Sequence, residues 1–287
     1  MISLLGSSQL FRKVTIIGVG LMGGSIGMGI KKRKLAHEVA GLSQQQTTIA
    51  TAVKNGAIDH GSPDLKRAVH NADLVILSTP VSIIAEILPT IGPLLKRNCI
   101  VTDVGSTKSS IVSAAQKFFP AHVYFVGSHP LAGSEKKGAE FAEADLFVNS
   151  TCLMTPTDKT NRTACERVKA LWTKLGAKVK FISPDEHDQI LAYISHLPHL
   201  AAYSLIGAIP QEHLEYAAQG LKDTTRIASS SPQMWSDISM ANKKNIVAAL
   251  DEMVKNLGMV RKMVVSNDQQ NLINYFKGAK TKRDAIH

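Results

Sequence analysis

Up to residue 183 the chain alternates short β-branched apolar runs with helical patterns, and this alternation restricts its fold more than any other feature. The runs lie at 14–17, 39–42, 74–77, 100–102, 123–126, 152–155 and 179–182. Parallel strands need long crossovers, and crossover helices cover both faces of a sheet, so the pattern predicts a mainly parallel, doubly wound sheet. At Ser183-Pro184-Asp185-Glu186 the texture changes. A serine cap with proline at the first helical position opens a helix, and only helical apolar patterns follow. The sequence therefore predicts an α/β fold over 1–183 and an all-helical domain over 184–287.

Gly18-Val19-Gly20-Leu21-Met22-Gly23 follows the first run directly. In a strand-turn-helix setting the first glycine allows a tight turn, the second lets backbone approach a pyrophosphate, and the third packs the helix on the strand. The free N–H groups of the helix start would face the phosphates. Gly18, Gly20, Leu21, Met22 and Gly23 thus read as a dinucleotide site on a Rossmann-type sheet; the alternative is glycine used for close packing alone. An acid at the end of the second strand would hold a ribose 2′-hydroxyl. The chain has Ser43-Gln44-Gln45-Gln46-Thr47 there, with no carboxylate to repel a 2′-phosphate. Ser43, Gln45 and Thr47 offer hydrogen bonds to one, so NADP is expected over NAD, although the segment also lacks an arginine. Thr79 and Pro80 after the third run, and Ser106 after the fourth, complete the expected cofactor cleft.

The formal net charge of +10, from 33 basic and 23 acidic residues, favours anionic partners. Aromatic content of 5% without arginine-aromatic interleaving argues against nucleic acid, which is usually held on stacking platforms. Cys99, Cys152 and Cys165 form no CxxC pair, and an odd number cannot all be bridged within one chain, which fits a reducing cytoplasm. The uncharged stretch 14–30 contains six glycines and runs into the basic segment 31–34, so neither a signal peptide nor a membrane span is expected. Residues 277–287 read as a solvated basic tail.

Candidate chemistry gathers at four places. His129 lies in Ser128-His129-Pro130-Leu131-Ala132-Gly133-Ser134-Glu135, just after an apolar run, where a strand is expected to give way to a loop. A histidine there can act as a general base near neutral pH, or it can merely hydrogen-bond a turn. If it is the base, activity should fall as pH drops through the ordinary histidine pKa. Ser106 can serve the reacting oxygen or cap the helix expected over 109–118. His196 and His199 flank Leu197-Pro198; with no HExxH and no cysteine cluster, cleft lining suits them better than zinc, and buried structural roles are the alternative. Arg226 suits a carboxylate, or else pairs with Asp223 or Asp237.

Together these segments resemble the prephenate and arogenate dehydrogenase family of tyrosine biosynthesis. The matching pieces are GVGLMGGS (18–25), TDVGSTK (102–108), GSHPLAGSEKKGAEFA (127–142), LFVN (146–149), PDEHD (184–188), SHLPH (195–199) and KDTTRIASSSPQMW (222–235). The resemblance implies a helical domain that dimerises and an active site between the domains. It implies that His129 accepts the proton of a substrate ring hydroxyl, that Ser106 assists beside the nicotinamide, and that Arg226 holds a substrate carboxylate. His196, His199 and Glu135 would line or gate the pocket. Prephenate, or alternatively arogenate, is the implied substrate, and tyrosine a feedback inhibitor. Rival readings are another Rossmann-plus-helical dehydrogenase, a catalytically silent dinucleotide sensor and a basic nucleic-acid binder.

Overall fold

Strand β1 (Phe11–Ile17) shows how the sheet is built: Val14 and Ile16 join the core on one face, Ile17 joins the core on the other, and all three are buried. A computed structural model describes residues 9–133 and 138–286. After β1 come α1 (Leu21–Lys32), β2 (Ala36–Leu42), α2 (Gln46–Lys54), β3 (His60–Ser62), α3 (Leu65–Val69), β4 (Leu74–Leu77), α4 (Val81–Ile91), β5 (Ile100–Asp103) and α5 (Ser109–Phe118). Then follow β6 (Tyr124–Leu131), β7 (Thr151–Thr155), α6 (Arg162–Lys174) and β8 (Lys178–Phe181). The sheet order is β3-β2-β1-β4-β5-β6-β7-β8, parallel throughout except where β6 meets β7. All seven expected strands are present, and β3 is an eighth.

Period-two alternation gives the sheet two cores. Leu74 and Ile76 of β4 pack with Ile26, Ile30, Val39, Val168 and Trp172; Val75 and Leu77 pack with Ile84, Leu88, Val101 and Ile111. Each fully buried isoleucine or leucine contributes about 1.5–3 kcal/mol, so burial on both faces fixes the strand register.

His129 does not sit at the end of a strand as the sequence suggested; β6 runs through it to Leu131. Tyr124–Val126 pair parallel with Ile100–Thr102 of β5, and Gly127–Leu131 pair antiparallel with Thr155–Thr151 of β7. Because β5 stops at Asp103, the later half of β6 has a strand neighbour only on the β7 side. Pro130, which has no N–H to donate, is tolerated there.

Among the described residues no strand follows β8. Ser183 Oγ accepts from the Glu186 amide and caps α7 (Pro184–Leu191). A π-helical turn, 192–196, leads into α8 (Leu197–Gly207) with Pro198 in its first turn, so the missing proline N–H falls where the helical ladder is already interrupted. Next are α9 (Gln219–Thr225) and α10 (Pro232–Ala241). The residues up to Asn242 form one compact unit and those from Lys243 a second. The second holds α11 (Lys243–Val265) and α12 (Gln269–Asp284). The expected solvated tail is helical to Asp284: Asp268 caps α12 at the Asn271 amide, and Lys280 pairs with Asp284 one turn on. Among the described residues no helix is long and apolar enough to cross a membrane.

Candidate active site

The strand order reverses between β1 and β4, and doubly wound sheets take ligands beyond the carboxyl ends of strands at such a point. Gly18 stands there with φ +90°, and a Cβ on it would lie 2.5 Å from the Ser78 carbonyl oxygen. A Cβ on Gly23 would collide with the Gly18 carbonyl, so α1 starts pressed against the turn. Gly20 is different: nothing lies within 4 Å of its Cβ position, and as N-cap of α1 it brings no side chain to the helix start. Close packing therefore accounts for Gly18 and Gly23 but not for Gly20. Leu21 and Met22 open α1 half-buried, and Pro80 precedes α4 as its N-cap. The buried hydroxyls of Ser78, Thr79 and Thr107, at the ends of β4 and β5, have no hydrogen-bond partner. An open backbone cradle beside unpaired hydroxyls fits a phosphate-bearing dinucleotide. Beyond β2, Ser43 Oγ accepts from the Gln45 amide (3.3 Å) and Gln45 Oε1 accepts from Thr48 (3.2 Å), so both residues shape the head of α2.

Ser106, His129, Leu131, Leu191, Ile194 and Trp235 are among the residues lining a cavity of about 330 Å3. His129 Nδ1 is 2.9 Å from His187 Nε2, and His187 Nδ1 is 2.8 Å from Asp188 Oδ1. Asp188 also accepts the amides of Lys108 (2.7 Å) and Ser109 (2.9 Å), and so caps α5 from another helix. The capping role considered for Ser106 is thus filled by Asp188, and Ser106 faces the cavity with His129. Beneath them Lys108 and Asp103 form an ion pair with both side chains fully buried, and Asp103 also accepts the amides of Gly105 and Ser128.

Burial, then the neighbouring His187 and the Lys108 ammonium, hold the His129 pKa well below the ordinary histidine value. His187 is lowered too, by burial, against the pull of its Asp188 hydrogen bond. Burial alone would raise the Asp188 pKa, but hydrogen bonds from His187 and the Ser109 and Lys108 amides hold it below the usual range. At neutral pH the chain is two neutral imidazoles ending on a carboxylate. The fall in activity expected at the ordinary histidine pKa therefore moves to lower pH.

Trp235 links the cavity to the remaining candidates. His199 stacks on its ring with centroids 3.6 Å apart, and its Nδ1 bonds the Ser195 carbonyl. His196 is buried edge-on to the same tryptophan ring, with centroids 6.0 Å apart, and is bonded to Asn242; burial pushes its pKa down to about 4. Arg226 is exposed and near enough to His199 for its charge to lower that imidazole's pKa, after the larger effect of burial. Of the two carboxylates considered for it, Asp223 accepts from Gln219, and Asp237 accepts from Ser82 and Gln233. Glu135 lies outside the described residues. Among the described residues no cluster of histidine, cysteine and carboxylate suits a metal ion.

Sequence reasoning gave no role to His187, Asp188 and Lys108, all inward-facing. Their signal was available: a histidine-aspartate pair one turn into a capped helix, and a lysine inside an otherwise uncharged strand-to-helix turn.

The comparisons agree with this geometry. The family model for the prephenate dehydrogenase nucleotide-binding domain matches residues 26–181, and that for the prephenate dehydrogenase dimerization domain matches 183–278. A prephenate dehydrogenase of Bacillus subtilis (strain 168) is 38% identical over 97% of this chain and 77% of its own. A cyclohexadienyl dehydrogenase of Zymomonas mobilis is 32% identical over 96% of both. The crystal structure of prephenate dehydrogenase from A. aeolicus in complex with hydroxyphenyl propionate and NAD+ superposes with a TM-score of 0.90 at 33% identity, covering 99% of this chain and 100% of that one. With both domain models matched in order, over 26–181 and 183–278, the chain belongs to the prephenate dehydrogenase family.

Proposed function

We propose that this chain carries out the oxidative decarboxylation of prephenate to 4-hydroxyphenylpyruvate, with residues 1–183 binding the dinucleotide and 184–287 supplying substrate contacts and a dimer interface. The observation that carries this is His129: neutral, edged on the cavity beside Ser106, with its inner nitrogen committed to His187. The nicotinamide, when bound, supplies the acceptor for a hydride from ring carbon 4. His129 takes the ring hydroxyl proton, and Ser106 orients that hydroxyl. Loss of the ring carboxylate as carbon dioxide makes the product aromatic, so the protein's work is positioning and keeping the base unprotonated. Gly18, Gly20 and Gly23 shape the pyrophosphate cradle; Thr79, Pro80 and Ser106 border it.

Arg226 is the residue for the side-chain carboxylate, since its charge reaches His199, which stacks on the cavity's Trp235. The cavity volume falls at the small end of ligand sites, about 300–1000 Å3. NADP is preferred on our reading because 43–47 carries no acid against a 2′-phosphate. Arogenate is the second reading, supported by the similarity to a cyclohexadienyl dehydrogenase. Tyrosine, close to the product in shape, would compete for the same cavity. Exposed apolar side chains along α11 and α12, including Val254, Leu257, Phe276 and Ile273, suit a homodimer. Three free thiols fit the cytoplasm.

The test is steady-state reduction of NAD and of NADP with prephenate and with arogenate in turn. Prephenate turnover, more efficient with NADP, is expected. No reduction in any of the four combinations would leave a dinucleotide sensor as the better account.

A further inference from the structure

The Pro184-Asp185-Glu186-His187-Asp188 segment does more than begin a helix. His187 is fully buried, and its two ring nitrogens are both engaged, one with a carboxylate and one with the imidazole of His129. The hydrogen-bonding capacities of these groups leave one arrangement. Asp188 at neutral pH only accepts, and it already accepts two backbone amides, so His187 must carry its proton on Nδ1. A neutral imidazole protonated on Nδ1 has a bare Nε2, which accepts. Among the described residues the only donor facing it is His129 Nδ1, so His129 is protonated there. Its Nε2 is then an unprotonated lone pair, and that nitrogen has no protein partner among the described residues.

We propose that His187 and Asp188 are positioning residues that lock His129 into the one tautomer whose Nε2 can accept the substrate proton. The purpose assigned to the lock rests on the reading of His129 as the base. As His129 takes the proton on Nε2, its Nδ1–H strengthens its bond to His187, and His187 in turn its bond to Asp188. No proton leaves either group. The carboxylate stabilises the positive charge through one intervening ring, the logic of a carboxylate orienting a catalytic histidine, extended by one link. Asp188 serves two ends at once, since its cap on α5 also sets the turn that bears Ser106.

Nitrogen-15 NMR of the histidine rings in the full-length, cofactor-free protein at neutral pH reads the tautomer directly, with His129→Asn and His187→Gln assigning the signals. Both rings are expected to be protonated on Nδ1 and bare on Nε2. Protonation of His129 on Nε2 in the wild type overturns the proposal, whether or not any variant folds. His187→Leu removes the acceptor, so His129 gains nothing from holding its proton on Nδ1 and moves it to Nε2. Turnover of prephenate should fall about 100-fold, the lower end of a general base's contribution, while dinucleotide affinity is unchanged. In His187→Gln the amide oxygen stands near the lost Nε2, accepts from His129, and should restore turnover to within about tenfold of wild type. A glutamine variant as slow as the leucine variant would mean that the ring's packing matters and the acceptor does not, and would sink the proposal. If the wild type turns over neither cyclohexadienyl substrate, the proposed reaction fails while the ring spectra still decide the tautomer.

Discussion

Two alanine substitutions in the same glycine motif should have opposite consequences. In Gly18→Ala the new methyl would lie 2.5 Å from the Ser78 carbonyl oxygen and 2.8 Å from its carbon, on a backbone with φ +90°. Neither neighbour is a flexible side chain, so β1 or β4 must shift. Overpacking costs about 1–3 kcal/mol and the left-handed conformation about 1–2 more, giving a loss of roughly 2–5 kcal/mol. For a unit of this size that lowers Tm by roughly 4–20 °C. In Gly20→Ala the methyl meets nothing within 4 Å, and the loss of a glycine N-cap costs about 1 kcal/mol at most. In the proposed cradle the methyl would occupy the place where backbone meets the pyrophosphate. Forfeiting one charge-assisted hydrogen bond there, about 1.5–3 kcal/mol, weakens dinucleotide binding about 10- to 100-fold. Thermal unfolding and calorimetric titration with NADP measure both quantities on each variant. A Gly20→Ala protein that binds dinucleotide as tightly as wild type, or that melts as low as Gly18→Ala, would refute the assignment of the cradle.

Three further outcomes follow from the site. Arg226→Lys keeps the charge but loses the planar fork, so the apparent dissociation constant for prephenate should rise about 10- to 100-fold with dinucleotide binding unchanged; equal loss of both ligands would make the arginine structural. With His129 proposed as the base, its neutral form would be the active one; its pKa lies below the ordinary value, so kcat/KM should stay level as pH falls through about 6.5 and decline only at lower pH. A half-maximal point at or above that pH would contradict the environment described for this imidazole. Lys108→Met leaves Asp103 as an uncompensated buried charge and should cost about 3–5 kcal/mol in denaturant unfolding; a change under about 1 kcal/mol would show that the pair is not fully desolvated.

Much of the sheet was legible because its strands are short buried runs of β-branched residues whose two faces both need cover. Strand β3 was not, since His60-Gly61-Ser62 has no apolar run and is held by pairing with Ala40–Leu42. The extension of β6 through Ser128-His129-Pro130 was hidden for a related reason: those residues read as a turn, and only the antiparallel partner β7 makes them a strand. The helical end of the chain, taken for a tail, depends on a local cap and one turn-spaced ion pair among many exposed charges. At the site, Ser106 and His129 stood out by residue type just after apolar runs. The partners of His129 did not, because His187 is 58 positions away and the contact exists only once α7 packs beside α5. Asp188 looked like one more acid in a helix's first turns, yet its carboxylate caps a different helix.

The central claim is that His129 is the group that takes the substrate proton, and His129→Asn tests it most directly. Asparagine retains a polar side chain of similar reach but has no basic nitrogen. With dinucleotide affinity measured alongside as a control on folding, prephenate turnover should drop about 100- to 10,000-fold while the dinucleotide binds as in wild type. A variant that turns prephenate over at the wild-type rate would contradict the account and leave His129 as a structural ring in the wall of the cavity.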